Sequence, residues 1–209
     1  MAYVGKKFPD IDVEAINEMG DKININIFKK AKKESKKILL FWYPKDFTFV
    51  CPTELHSFQE HLNDFENRNT IVIGASCDSA EVHFAWLNTP KENGGIEGIS
   101  YDIIADTNRN LSSILNVLDG ELTEIGNVDL IKGDNVTYRA TFLIDEKGFV
   151  FHEGINHMPI GRNVLEFLRI IDAYSHVQKN GEVCPANWEG GEEALKANRK
   201  GIIKYLTNN

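Results

Sequence analysis

Cysteine is scarce in this chain: there are three, Cys51, Cys77 and Cys184, spread through 209 residues. They are too few and too scattered for a disulfide framework. None forms a Cys-x-x-Cys pair, which counts against dithiol exchange of the kind that motif performs. Basic residues are also short, 23 against 31 acidic ones, giving a net charge of −8. Phosphate binding needs basic surface, so nucleic acid is not expected as the main partner. The one basic cluster, Lys29-Lys30 to Lys36-Lys37, reads as a solvated helix end or loop. No apolar run is long enough to span a bilayer. The segment from Met1 to Pro9 lacks the apolar stretch of a signal peptide, so a cytoplasmic location without membrane association is expected. His56, His61 and His83 fall on helical patterns without metal-ligand spacing and read as structural or solvated. No metal or other cofactor is expected.

What is present is ordinary apolar material, 42% of the residues, enough for a sizeable core. A chain of this length makes one domain, or one domain with an appendage. Strand and helix signals alternate. Ile38 to Tyr43 and Ile71 to Ala75 read as buried strands, and Tyr101 to Ala105 as a third. Leu55, Phe58, Leu62 and Phe65 recur at helical spacing. Glu81 to Leu87 is a short helix, and Leu111, Ile114, Leu115 and Leu118 mark another. Tyr138 to Ile144 and Phe149 to Ile155 flank Asp145-Glu146-Lys147-Gly148, a hairpin signal. Asn163 to Val177 is amphipathic, with Val164, Phe167, Leu168, Ile171 and Tyr174 on one face. This order predicts a mixed α/β sandwich. Beyond residue 178 the chain turns polar and glycine-punctuated, ending in a weak helix near residues 192–206. The boundaries expected are a core over 1–175 and an arm over 176–209.

Cys51 sits where a strand ends and a helix begins. Pro52 suits the first helical position, where its missing N–H has no intrahelical partner to lose. That placement aims the positive end of the helix at the sulfur, which favours thiolate over thiol. Thr48, three residues earlier, is spaced so that a tight turn brings its hydroxyl beside the thiol, where it can hold a substrate oxygen. Pro44 shields the sulfur from bulk water. Glu54, one turn on, can orient a cation, and Arg139 at the edge of the hairpin strand is the natural one. A lone cysteine at such a junction would be inert. Proline, threonine and glutamate at these offsets make Cys51 a candidate nucleophile. Cys77 has no such neighbours and reads as a small buried hydrophobe.

The run Pro44-Lys45-Asp46-Phe47-Thr48-Phe49-Val50-Cys51-Pro52-Thr53-Glu54 resembles the peroxidatic motif of the peroxiredoxins, Pro-x-x-x-Thr/Ser-x-x-Cys. Gly181-Glu182-Val183-Cys184-Pro185-Ala186-Asn187-Trp188 resembles the resolving-cysteine motif of their typical two-cysteine class, the alkyl hydroperoxide reductase and thiol-specific antioxidant family. The likeness runs the length of the chain, through Val4-Gly5-Lys6, Ala85 to Pro90, Tyr138 to Phe142 and Pro159 to Asn163. It implies a thioredoxin-like fold, a central mixed sheet flanked by helices, with an N-terminal extension and a C-terminal arm. It implies reduction of hydrogen peroxide and organic hydroperoxides. Cys51 matches the peroxidatic cysteine, with Pro44, Thr48 and Arg139 completing its pocket and Glu54 and Arg162 supporting it. Cys184 matches the resolving cysteine, contributed by the partner subunit of a homodimer that associates into a ring. The reductant implied is a dithiol such as thioredoxin, or a dedicated flavoprotein disulfide reductase.

The family's overoxidation-prone members carry Gly-Gly-Leu-Gly and a C-terminal Tyr-Phe. Here the first reads Gly94-Gly95-Ile96-Glu97 and the second Tyr205-Leu206. Weaker packing of the tail is expected, and with it moderate resistance to overoxidation. The segment from Asp119 to Val136 is longer than the pattern requires and reads as an extra hairpin. The alternative to an enzyme is a binding role, as a ring-forming holdase chaperone or a peroxide-signalling relay.

Overall fold

The computed structural model describes residues 2–208. The chain opens with a hairpin of β1 (Val13–Ile16) and β2 (Lys22–Ile25). Then come α1 (Ile27–Glu34), β3 (Lys37–Trp42), α2 (Cys51–Glu60), α3 (Leu62–Glu66), β4 (Thr70–Ser76) and α4 (Ala80–Leu87). They are followed by β5 (Ile103–Ala105), α5 (Asn110–Ile114), a separate hairpin of β6 (Glu121–Ile125) and β7 (Val128–Lys132), then β8 (Arg139–Ile144) and β9 (Val150–Asn156). The last helices are α6 (Val164–Asn180) and α7 (Arg199–Asn208). Two compact units divide the chain, Met1–Arg162 and Asn163–Asn209. No helix among the described residues is long and apolar enough to cross a membrane.

The first unit is built on a seven-stranded mixed sheet in the order β2-β1-β5-β4-β3-β8-β9. β3 runs parallel to β4 on one side and antiparallel to β8 on the other. Every residue of β3 is buried, as a strand covered on both faces must be. Its side chains alternate between two cores. Ile38, Leu40 and Trp42 join Ile73, Ala140, Phe142 and Ile144 with Ile27 and Ala31 of α1 and Leu111 of α5. On the other face Phe41 stacks on Phe58 of α2 at 4.1 Å, and Phe58 meets Phe65 of α3 at 6.2 Å. α2 is thereby laid against the sheet, and its first residue, Cys51, stands at the end of the loop that leaves β3.

Local chemistry explains where elements stop. The spacing of Leu55, Phe58, Leu62 and Phe65 predicts one helix, but the helix breaks at His61 (φ −103°, ψ 11°). There the His61 carbonyl accepts from Asp64 N at 3.0 Å and its Nδ1 lies 2.8 Å from Asp64 Oδ2, a local turn that competes with helix continuation. α5 stops at Ile114 because Asn116 takes φ 54°, and Leu118 pairs with Thr137 instead of extending the helix. The extra hairpin is present, and its turn places Gly126 at φ 58° and Asn127 at φ 64°, the paired positive values that a tight two-residue turn needs. The basic run is not wholly solvated. Lys37 opens β3 at 8% exposure, its Nζ 3.1 Å from Glu146 Oε1.

In the second unit Val164, Phe167, Leu168 and Ile171 of α6 are buried and Tyr174 is half-buried. The arm after α6 lies back along it. Arg169 Nη1 donates to Trp188 O at 3.1 Å, the Trp188 ring sits 5.0 Å from that of His176, and Trp188 is 2% exposed. α7 begins at Arg199, later than residue 192, where Asn198 Oδ1 accepts from Gly201 N at 2.9 Å.

A close backbone approach beside α4 makes a stability prediction. A Cβ on Gly95 would lie 1.8 Å from the Thr89 carbonyl oxygen, whereas one on Gly98 would meet nothing within 4 Å. Gly95→Ala should therefore lower the melting temperature by more than Gly98→Ala, whose cost is the strain of a positive φ alone, about 1 kcal/mol. Overpacking costs about 1–3 kcal/mol or more. Thermal unfolding of the two variants side by side checks the ranking, and equal melting temperatures would contradict it.

Candidate active site

The loop that leaves β3 is fastened before it reaches Cys51. Thr137 Oγ1 donates to Tyr43 O at 2.9 Å, and Asp46 N donates to Asp78 Oδ2 at 2.9 Å. Inside the loop, the Asp46 carboxylate accepts from Tyr43 Oη at 2.8 Å and lies 2.7 Å from His83 Nδ1. His83 Nε2 faces Ile104 O at 3.2 Å. These groups are almost wholly shut off from solvent, His83 at 0% and Asp46 at 3%. Burial pushes the Asp46 carboxyl up, and His83 beside it opposes that. Phe47 takes φ 53° and rests on Trp86 at 5.7 Å, a conformation that costs an aromatic residue about 1 kcal/mol or more. Thr48 Oγ1 donates to Lys45 O at 2.8 Å, and Pro44 is buried beneath.

Cys51 opens α2 at 1% exposure, with Pro52 in the first turn. The cap residue, Val50, has no side-chain acceptor for the first N–H groups. Those donors point toward the loop that ends at the cysteine. From β8, Arg139 Nη1 donates to Cys51 Sγ at 3.5 Å and to Glu54 Oε2 at 2.6 Å, while its Nε donates to Met158 O. Arg162 grips the same carboxylate with two parallel bonds, Nε to Oε1 at 2.8 Å and Nη2 to Oε2 at 2.8 Å, and its backbone N adds a third at 2.9 Å. Arg162 Nη1 also donates to Ala140 O at 2.9 Å, and its guanidinium stands 5.2 Å over the Phe41 ring. The side chains of Glu54, Arg139 and Arg162 are 3%, 4% and 3% exposed. Burial alone would push the Glu54 carboxyl up; Arg162 and then Arg139 more than reverse it and hold the group below the usual glutamate range.

The first unit thus brings Cys51, Glu54, Arg139 and Arg162 together from a helix start, a strand and the segment after β9, with Pro44 and Thr48 in the loop that leads to the cysteine. Cys184 lies in the second unit, half-buried, with Sγ 3.7 Å from Ala173 O. Burial pushes its thiol up and Arg169 opposes this. Cys77 is buried 3.8 Å from Ser112 Oγ, and burial pushes its thiol up to about 11. Among the described residues no group of His, Cys, Asp and Glu could hold a metal ion. The sequence reading missed the coupling of Asp46 to His83. These residues stand 37 positions apart, and no local pattern signals that they meet.

Residues 4–153 match the model of the AhpC/TSA family, and residues 173–208 match that of the C-terminal domain of 1-Cys peroxiredoxin. The chain is 42% identical over 206 residues to alkyl hydroperoxide reductase C of Buchnera aphidicola (subspecies Baizongia pistaciae), covering 99% of this chain and 97% of that one. It is 40% identical over 207 residues to alkyl hydroperoxide reductase C of Helicobacter pylori, with the same coverage. Among solved structures, reduced 2-Cys peroxiredoxin of Plasmodium vivax superposes with a TM-score of 0.89 at 38% identity, covering 99% of this chain and 100% of that one.

The Glu54 cluster predicts an acid signature. A carboxyl whose folded-state pKa is depressed contributes stability above its unfolded pKa and loses it as pH falls through the folded value. The stability gap between wild type and Glu54→Gln should be full above about pH 5, where glutamate is ionised in both states. At that plateau it should reach about 3 kcal/mol or more, because two buried guanidinium groups lose their counter-charge. Below the ordinary glutamate range the gap should shrink. Urea titrations from pH 3 to 8 read it directly, and a gap independent of pH would refute the assignment.

Cys77 makes a second prediction. With its thiol at about 11, iodoacetamide at pH 8 should leave it unmodified in the folded chain and label it promptly after unfolding in urea. Peptide mapping of the labelled cysteines checks this. Rapid native-state labelling of Cys77 at pH 8 would contradict the burial argument.

Proposed function

The chain belongs to the AhpC/TSA family and is a thiol peroxidase with the thioredoxin-like fold of its relatives, and from that premise we propose that Cys51 reduces peroxides and Cys184 resolves the product. The observation that carries the assignment is the Arg139 guanidinium, held by Glu54 at 2.6 Å and set 3.5 Å from the Cys51 sulfur at a helix start. A fixed cation and N-terminal helix N–H groups stand where negative charge must pass from sulfur to oxygen.

In the first step the Cys51 thiolate attacks the nearer oxygen of a hydroperoxide in line with the O–O bond. An S–O bond forms, the O–O bond breaks, and the far oxygen leaves with a proton as water or an alcohol. Sulfur is oxidised to a sulfenic acid. The Thr48 hydroxyl proton is committed to Lys45 O, which leaves its oxygen free to accept the O–H of the incoming peroxide. Arg139 and the helix N–H groups face the oxygens as charge builds. Pro44 walls the pocket against water. In the second step the Cys184 thiol displaces the sulfenic oxygen as water, and a Cys51–Cys184 disulfide forms. A dithiol of thioredoxin type, or a dedicated flavoprotein disulfide reductase, then returns both thiols by exchange.

We place Cys184 on the partner subunit of a homodimer, with dimers associating into a ring, in the cytoplasm. The exposed Phe47 and Phe49 in the loop before α2, and Val82 and Phe84 on α4, support association, since large apolar side chains left in water favour contact surfaces. Glu97 is exposed and Leu206 is 69% exposed, in keeping with a tail that does not resist opening.

Cys51→Ser should abolish thioredoxin-coupled peroxide consumption. Cys184→Ser should retain the first oxidation, one equivalent of peroxide per chain, and lose turnover with thioredoxin. On non-reducing gels a stoichiometric dose of peroxide should give a covalent dimer in wild type and none in Cys184→Ser. A covalent dimer persisting in Cys184→Ser would overturn the assignment of the resolving residue, and sedimentation as a monomer of 23.7 kDa would overturn the dimer.

A further inference from the structure

The extra hairpin of β6 and β7 stands apart from the main sheet. It forms a two-stranded sheet of its own, so both of its outer edges are open. At its base Gly120 and Gly133 face each other, and a Cβ on Gly133 would lie 2.8 Å from Gly120 Cα. A two-stranded hairpin by itself is marginally stable at best. This one also leaves Ile125, Leu130 and Ile131 exposed at 66%, 42% and 44%. From Asp119 to Val136 the sequence carries Asp119, Glu121, Glu124, Asp129 and Asp134 against Lys132 alone. The register sets Glu124 opposite Asp129 and Leu122 opposite Ile131, which puts all four positions on one face. Like charges at opposite positions destabilise a hairpin. The occupant that suits this face is basic and apolar together.

The same chain carries such a surface. The turn between β8 and β9 lies against the start of α1, where the Phe28 ring sits so close to Gly148 that no side chain fits there. Phe28 is half-buried, and Phe149, the next residue after Gly148, is 37% exposed. Lys32 Nζ stands 5.1 Å over the Phe28 ring, and Lys7 Nζ stands 6.0 Å over the Phe149 ring. Lys147 is exposed in the turn itself. The acidic residues of the turn are already engaged. Glu146 Oε1 is held by Lys37 Nζ at 3.1 Å, and Asp145 Oδ1 accepts from Lys147 N and Phe149 N. Lys7, Lys32 and Lys147 have no carboxylate partner among the described residues. In a chain of net charge −8, aromatic rings beneath unpaired ammonium groups make a surface for an acidic, apolar segment.

The hairpin and the patch lie at opposite ends of β8. The hairpin stem is fixed at the start of that strand, where Leu118 pairs with Thr137 and Thr137 Oγ1 donates to Tyr43 O. The patch surrounds its end. Six residues of strand set the two about 20 Å apart. A second copy brings them together. We propose that the β6–β7 hairpin of one chain docks, by the face that carries Glu124 and Ile131, on the patch of Lys7, Phe28, Lys32 and Phe149 of a second copy. Two copies about a two-fold axis make this contact twice, each giving its hairpin and receiving the other's. The proposal names a contact for the homodimer proposed above and rests on that reading. A second copy fits better than a passing partner. A hairpin with open edges and exposed apolar side chains needs its cover at all times, and every chain supplies one patch for every hairpin.

Charge reversal tests the contact. Glu124→Lys with Asp129→Lys keeps like charges opposite each other, so the hairpin's own repulsion is retained while its attraction for the patch is reversed. Lys7→Glu with Lys32→Glu reverses the patch. None of these residues belongs to the Cys51 pocket, and oxidation of Cys51 by one equivalent of peroxide should stay within about twofold. Subunit exchange between isotopically labelled and unlabelled chains, followed by native mass spectrometry, reads the strength of the contact. Each reversed pair should exchange about tenfold faster than wild type at low salt, because attraction turns to repulsion in both copies of the contact. The difference should narrow at about 0.5 M salt, where screening is strong. All four substitutions in one chain restore the attraction and should return exchange to within about threefold of wild type. A carbodiimide should join Glu124 or Asp129 of one chain to Lys7, Lys32 or Lys147 of the other, with the isotope labels showing that the link runs between chains. Unchanged exchange in either reversed pair, no recovery on combining them, or links confined to single chains would each overturn the inference. So would a hairpin reversal that leaves exchange unchanged and raises KM for thioredoxin, which would make the hairpin a platform for the reductant. A wild type that sediments as a monomer would instead overturn the homodimer itself.

Discussion

Two guanidinium groups and one carboxylate share a buried space at the start of α2. Arg139 and Arg162 both hold Glu54, and all three side chains are at most 4% exposed. Charges of this kind are tolerated in a protein interior only when paired and hydrogen-bonded, since removing one partner strands the others. Two positive charges against one negative leave a surplus of one positive charge. The Cys51 sulfur, 3.5 Å from Arg139 Nη1, is the acceptor set beside that surplus. The same bonds orient α2, β8 and the segment after β9, so the setting of the Cys51 sulfur and the packing of three elements depend on a single carboxylate.

The sheet supplies the rest of the positioning. β3 is buried on both faces and paired on both edges, so the residue that leaves it, Tyr43, emerges from a strand held on every side. Thr137 at the entry to β8 and the Asp46–His83 pair then hold the departing loop from two directions. Phe47 tolerates its positive φ because the loop on either side is fixed. Rigid backbone at the base is followed by a helix start that no side chain caps and that the Glu54 carboxylate instead fastens to Arg139 and Arg162.

The strand, loop and helix start around Cys51 were legible because the pattern that makes them is local. Pro44, Thr48, Cys51, Pro52 and Glu54 are separated by a few residues, and strand-to-helix junctions announce themselves through apolar runs and a proline at the first helical position. The hairpin of β8 and β9 and the extra hairpin of β6 and β7 were legible for the same reason: turn residues between apolar runs. The break between α2 and α3 was not, because the apolar spacing continues through His61 while a short polar turn interrupts the backbone. Nor was the pairing of Asp46 with His83, since it joins positions brought close only by the sheet.

By itself the sequence determined that Cys51 stands at a strand-to-helix junction, what flanks it and which elements alternate along the chain. These follow from residue type and short-range spacing, which act before any tertiary contact forms. Tertiary structure decided that Arg139 and Arg162 converge on one carboxylate, that a buried histidine and aspartate brace the loop, and where along α2 the helix is tied down. Those outcomes depend on strand order and on which side chains share a face of the sheet. Such contacts join residues far apart in sequence, and only the closing of the core brings them within bonding distance.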